Sequence, residues 1–223
     1  MYKVAPSLLA TDFKCLQEQL EIIEKGGAEY IHLDIMDGRF VPNLSFGMTM
    51  IKSIRSASNL VFDVHMMVEE PIRFIDGFKN AGADIISVHY EACNDIKATI
   101  AYIKKIGIKA GVVLNPETPV EVLSNEIIES VDVIQLMTVQ PGLDGQKFIP
   151  ESLNKIKKVK QRIKDLKLEK DIEADGDITL DNIQAVLRAG ANIIVSGKGL
   201  FNGDIKENIS RFKKEIDIIQ SEG

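Results

Sequence analysis

The chain has 223 residues, 45% of them hydrophobic and 27% charged, with a net charge of −6. That length holds one domain with a sizeable core, and the composition is that of an ordinary globular protein. The acidic sign argues against a general nucleic-acid or anionic-membrane binder, so an anionic substrate has to be held locally, by backbone amides or a metal. Cys15 and Cys93 are the only cysteines and form no C-x-x-C pair, which fits a reduced, cytoplasmic protein better than a disulfide framework. The first residues lack a signal-peptide apolar region, and no apolar run approaches the ~20 residues of a membrane span.

Short apolar runs at 4–9, 30–36, 61–67, 84–90, 108–114, 131–139, 171–175 and 192–197 read as strands. Each is followed by a segment of helical spacing. In the first such segment Phe13, Leu16, Leu20 and Ile23 share one face; in the third, Phe74, Ile75 and Phe78 do. Gly26, Gly82, Gly107 and Gly190 stand where a helix would end in a left-handed cap. Thr118-Pro119-Val120-Glu121 reads as a capping box with proline at the first helical position. Gly-Gly-Ala-Glu, Ala-Gly-Ala-Asp and Ala-Gly-Ala-Asn each lead into a strand, as if one βα unit recurs. Eight such units without a linker predict a single (β/α)8 barrel, a TIM barrel, over residues 1–223. The rival open doubly wound sheet lacks its G-x-G-x-x-G after the first strand.

The second strand carries the chemistry. With a period of two, Ile31, Leu33 and Ile35 face the helices, and His32, Asp34 and Met36 face the barrel interior. A buried imidazole and carboxylate are costly unless paired or bound to a metal. His65 in the third strand and Asp175 at the end of the seventh point the same way. The set His32, Asp34, His65 and Asp175 suits Zn²⁺, and equally Fe²⁺, Mn²⁺ or Co²⁺. A lone interior histidine is more often a hydrogen-bonded core residue, and His89, with no carboxylate in its own strand, reads as structural. Glycine-bearing loops follow the sixth strand (Gly142-Leu143-Asp144-Gly145), the seventh (Gly176-Asp177) and the eighth (Gly197-Lys198), where barrels often hold phosphate.

Pro6-Ser7-Leu8-Leu9, the run from His32 to Asn43, Asp63-Val64-His65-Met66-Met67, Met137-Thr138-Val139-Gln140-Pro141-Gly142, and Asp175-Gly176 with Val195-Ser196-Gly197 resemble the ribulose-phosphate 3-epimerase family over nearly the whole chain. The resemblance implies a ribulose-phosphate-binding barrel with one divalent metal per subunit, held by His32, Asp34, His65 and Asp175. It implies Asp34 as proton acceptor and Asp175 as proton donor, one starting ionised and the other protonated. It places Ser7 and His65 against substrate, Met36, Met67 and Met137 around the reacting carbon, and phosphate at residues 142–145, 176–177 and 197–198. It also implies a sugar-phosphate substrate, a place in the pentose phosphate pathway and a homo-oligomer. The expected reaction is 3-epimerisation of D-ribulose 5-phosphate to D-xylulose 5-phosphate.

The chain departs from the family's pattern at the phosphate loops. Leu143 and Asp144 replace an aromatic and a glycine, Asp177 replaces a second glycine, and Lys198 replaces a small hydroxyl residue. Residues 115–119 and 199–202 also resemble the six-carbon relative, allulose-6-phosphate 3-epimerase, which gives an alternative substrate. A non-catalytic sugar-phosphate-binding barrel is the alternative of another class. A decarboxylase or aldolase barrel fits less, because the third strand has Asp63-Val64-His65 and no D-x-K-x-x-D.

Overall fold

In a computed structural model, which describes residues 1–222, the apolar runs form eight parallel strands; Gly223, the last residue of the expected domain, lies outside the described residues. The strands are β1 (Lys3–Pro6), β2 (Tyr30–Met36), β3 (Val61–Met67), β4 (Ile85–His89), β5 (Lys109–Leu114), β6 (Val133–Met137), β7 (Asp171–Asp175) and β8 (Ile193–Ser196). Pairing runs from β2 through β3 to β8 and on to β1. The seam between β1 and β2 is closed by an isolated bridge of Ser7 with His32, by Glu29 N–H donating to Val4 O at 3.3 Å, and by Val4 N–H donating to the Glu29 carboxylate at 2.9 Å. The result is a barrel.

The strand period sorts side chains as the sequence predicts. Ile31, Leu33, Ile35, Phe62, Val64 and Met66 join the large outer core under the helices. Ala5, Tyr30, Ile85, Val133, Ile193 and Val195 form a separate apolar plug inside the barrel. Above that plug the interior turns polar, with His32, Asp63, His65, Ser87, Gln135 and Glu173 all without exposed surface.

The helices are α1 (Leu16–Gly26), α2 (Met48–Arg55), α3 (Ile75–Ala81), α4 (Ile96–Lys105), α5 (Asn125–Ser130), α6 (Ser152–Asp165), α7 (Ile183–Ala189), α8 (Lys198–Phe201) and α9 (Ile205–Ser221). Among the described residues no helix is long and apolar enough to cross a membrane. In α9, Ile205, Ile209, Phe212 and Ile216 lie three or four residues apart and are buried, and the Asp204 side chain caps the helix by accepting from Glu207 N–H at 2.9 Å. Phe212 has no exposed surface. Phe212→Ala is therefore expected to cost about 3–5 kcal/mol, read as a lower urea midpoint at unchanged slope. A loss under about 1 kcal/mol would mean that this site collapses around the gap.

Several local expectations differ from the structure. Phe13 precedes α1 in a single 3-10 turn, stays half exposed and packs edge-on against Phe46, so only Leu20 and Ile23 of its expected face are fully buried. Gly26 lies inside α1, and Gly27 is the left-handed cap at φ +84°; Gly82, Gly107 and Gly190 are left-handed as expected. The segment at Thr118 starts only a 3-10 turn (Val120–Val122), because the Thr118 hydroxyl is taken by Glu91. The helix begins later, with Ser124 accepting from Ile127 N–H at 3.3 Å. The first strand is shorter than expected, since Ser7 accepts from Leu9 N–H and opens a turn at Leu8–Ala10.

Candidate active site and metal centre

The register sets Asp34 beside His65 and Met137 beside Asp175 across neighbouring strands. Curvature of the barrel then brings β2, β3 and β7 to one point. His32 Nε2 lies 3.3 Å from Asp34 Oδ1, 3.5 Å from Asp175 Oδ2 and 3.4 Å from His65 Nδ1. His65 Nδ1 lies 3.1 Å from Asp34 Oδ1 and 3.3 Å from Asp175 Oδ2. Four donor atoms bonded tetrahedrally to an ion at about 2.0–2.1 Å stand about 3.3–3.4 Å from one another. The four side chains thus have both the chemistry and the spacing to hold a divalent cation.

Without a cation the four groups balance as charges. Burial opposes charge on His65, but the hydrogen bonds and charges of Asp175 and Asp34 outweigh it and push the imidazole up to about 9. Burial likewise opposes charge on His32, and Asp34 and Asp175 still hold it well above its ordinary value. For Asp34 burial works against ionisation, yet His32 and then His65 hold the carboxyl below the usual carboxylate range. Asp175 is also lowered: burial opposes, and the charge and hydrogen bond of His32 prevail. In the metal-free cluster these directions favour charged imidazoles beside ionised carboxylates.

Behind the cluster lies a layer the sequence reading passed over. His32 Nδ1 is 2.8 Å from Asp63 Oδ2 and 3.2 Å from Glu173 Oε1. Both carboxylates are fully buried, and neither Glu173 oxygen has a hydrogen-bond partner. Burial, with the charge of Asp63, raises Glu173 to about 8. Asp63 and Glu173 stand two residues before His65 and Asp175, and the same period of two would have found them. His89 is buried as expected, but its Nε2 lies 2.8 Å from His65 Nε2. Burial first, then the neighbouring His65, lowers His89 to about 4.

Above the floor is an open cleft of about 220 Å³ at the C-terminal ends of the strands. Ser7, Asp34, Met36, Met67, Met137 and Asp175 line its base, and Gly142, Leu143, Asp144, Gly145, Asp177, Gly197 and Lys198 line its rim. Ser7 Oγ donates to Asp34 Oδ2 at 2.5 Å, and Gln135 Nε2 donates to Asp175 Oδ2 at 3.1 Å. His32 and His65 lie beneath, with no exposed surface. Gly176 is not brought into the lining; it turns at φ +130° against Val139, where a Cβ would stand 2.8 Å from the Val139 nitrogen. Gly142 lets the loop after β6 lie on Val41, whose side chain a Cβ would meet at 2.3 Å. Asp177 is itself left-handed at φ +50°, and its carboxylate accepts from Phe148 N–H at 3.2 Å, which ties two rim loops together. Asn43, Val139, Gln140 and Ile178 also line the cleft and were not singled out, since their residue types carry no chemical signal in sequence.

Comparison with known proteins agrees with this geometry. The family model described as "Ribulose-phosphate 3 epimerase family" matches residues 3–201. Ribulose-phosphate 3-epimerase of Bacillus subtilis (strain 168) is 48% identical over 216 residues, covering 96% of this chain and 99% of that protein. Ribulose-phosphate 3-epimerase of Synechocystis sp. (strain ATCC 27184 / PCC 6803 / Kazusa) is 44% identical, covering 89% and 87%. Among solved structures, KGPDC from Streptococcus mutans superposes with a TM-score of 0.74 at 13% identity, covering 98% of this chain and 99% of that one, which speaks for the barrel fold alone. The relatives bear an enzyme's name, which sets the non-catalytic alternative aside. The chain belongs to the ribulose-phosphate 3 epimerase family and is an epimerase, an enzyme of the isomerase class.

Proposed function

We propose that the chain interconverts D-ribulose 5-phosphate and D-xylulose 5-phosphate by moving a proton at carbon 3 between two carboxylates. The observation that carries this reading is the pair Asp34 and Asp175, side by side at the cleft floor and each against both imidazoles. The names of the relatives support the five-carbon substrate and do not favour the allulose 6-phosphate alternative.

In this mechanism Asp34 takes the proton from carbon 3 on one face. The C–H electron pair becomes a double bond to carbon 2, and the carbonyl oxygen takes the negative charge. Asp175 then gives a proton to the opposite face of carbon 3, and the carbonyl re-forms. A cation held by His32, Asp34, His65 and Asp175 supplies a Lewis acid for the developing negative oxygen. Transfer across two faces needs one carboxyl ionised and the other protonated, and the charge of Asp34 acts on Asp175 in that direction. Ser7 orients Asp34 through its hydrogen bond, Gln135 orients Asp175, and Met36, Met67 and Met137 keep water from the reacting carbon with polarizable walls.

Turnover in ²H₂O tests the reading. Solvent deuterium should appear at carbon 3 of both sugars; product formation with no deuterium at carbon 3 would exclude proton transfer through the carboxylates. Lys198 is the only cation among the described residues lining the cleft, where Asp144 and Asp177 repel an anion. Lys198→Ala is expected to raise KM for the pentulose phosphate about 10- to 100-fold with a smaller change in kcat, the loss of one charge-assisted contact. An unchanged KM would place the phosphate on backbone amides alone.

A further inference from the structure

His32 and His65 turn opposite nitrogens to the cluster, Nε2 from one and Nδ1 from the other. Each ring leaves its second nitrogen in the dry barrel interior, where a polar atom without a partner is costly. His32 Nδ1 meets Asp63 Oδ2 at 2.8 Å, and His65 Nε2 meets His89 Nε2 at 2.8 Å. With Asp63 Oδ2 as the acceptor, the proton of this pair sits on His32 Nδ1 and leaves Nε2 with a free lone pair. If His65 Nδ1 is the ligand atom, its single proton sits on Nε2 and donates to His89 Nε2. The proton of His89 then sits on Nδ1, 3.4 Å from Glu91 Oε2, a contact too poorly aligned to count as a hydrogen bond. Glu91 is anchored in turn by Asn115 N–H at 2.9 Å.

We propose that Asp63 and His89 are positioning residues which fix the tautomers of His32 and His65, so that both rings aim a lone pair at the same point. The proposal rests on reading the four-residue cluster as a metal site. It gives two buried residues a purpose: each supplies a partner to the second nitrogen of a ligand imidazole. The ring of Phe40 packs against that of His89, with centroids 4.8 Å apart.

The chain has three histidines, and all three are in this network. Two-bond ¹H–¹⁵N spectra of the Zn²⁺-loaded protein therefore contain three imidazoles and no others. Protons are expected on Nδ1 of His32, Nε2 of His65 and Nδ1 of His89. Independently, Co²⁺ is titrated alone into metal-free variants and followed by its visible absorption. His89→Asn, whose amide stops short of His65, should bind Co²⁺ about 10- to 100-fold more weakly, and His89→Gln, which returns an acceptor at the Nε2 position, should recover most of that loss. A proton on Nε2 of His89, or parent-like Co²⁺ affinity in folded His89→Asn, would overturn the proposal while leaving the metal site standing. A parent protein that takes up no equivalent of Zn²⁺ or Co²⁺ would overturn the metal reading and the proposal with it.

Discussion

Asp175→Asn is expected to lower kcat about 100- to 10,000-fold, the range for losing a positioned acid or base. The substitution is chosen because it should spare the architecture. Gln135 Nε2 donates to Asp175 Oδ2, the same oxygen that faces both imidazoles. In the variant that donor steers the amide oxygen, not the amide nitrogen, into the cluster, so the site keeps four ligand atoms. What disappears is the exchangeable proton on one face of the sugar. Asp34 remains on the other face, so D-ribulose 5-phosphate should still exchange its carbon 3 hydrogen with solvent while D-xylulose 5-phosphate no longer forms. Asp34→Asn should show the mirror result, with exchange surviving in D-xylulose 5-phosphate. The paired isotope measurement separates a lost base from a lost site. If Asp175→Asn lost exchange and epimerisation together while still taking up one equivalent of cation, the assignment of one carboxylate to each face would fail.

The catalytic floor was legible because a period of two is a local property. From His32 to Met36 the sequence alone tells which side chains turn inward, and the barrel puts the ends of those strands at its mouth. Asp63 and Glu173 obey the same period, yet lying two residues deeper they fall outside the strand-end positions where chemistry is sought. Their meaning depends on cross-strand register, which sets His32 beside Asp63 and is decided by the stagger of the whole barrel. The rim was harder. Gly176 sits among phosphate-loop glycines in sequence but turns against Val139, a contact between residues 37 apart that no local pattern encodes. Thr118 looked like a helix cap because its competitor for the hydroxyl, Glu91, lies in another βα unit. Helices and strands were thus read well from within, and their ends less well, since ends are settled by partners from elsewhere in the chain.

Cation binding should grow steeply stronger with pH, and so should the stability that the cation adds. In the metal-free protein at neutral pH both ligand imidazoles carry an extra proton, His65 up to about 9 and His32 also well above its ordinary value. A ligand nitrogen must lose that proton, so each cation bound releases about two protons. Between pH 6 and 8 the apparent affinity for Zn²⁺ should then rise by about two decades per pH unit, a slope that a competition titration reads directly. Stability follows the same sign. A histidine whose folded-state value is raised stabilises the metal-free fold fully below about 6.5 and loses that contribution as pH rises towards 9. The lowered carboxyls of Asp34 and Asp175 act oppositely, contributing above about 3.8 and failing only in strong acid, so they do not change over this window. The metal-free protein is therefore expected to lose stability from pH 6.5 to 9, while the cation-loaded protein, whose imidazoles are already neutral, does not. The gain in Tm on adding Zn²⁺ at fixed concentration should be larger at pH 8.5 than at pH 6, because binding to the folded state stabilises in proportion to the logarithm of occupancy. A gain that is the same at both values, with stoichiometric binding at each, would mean that His32 and His65 enter the metal site already neutral.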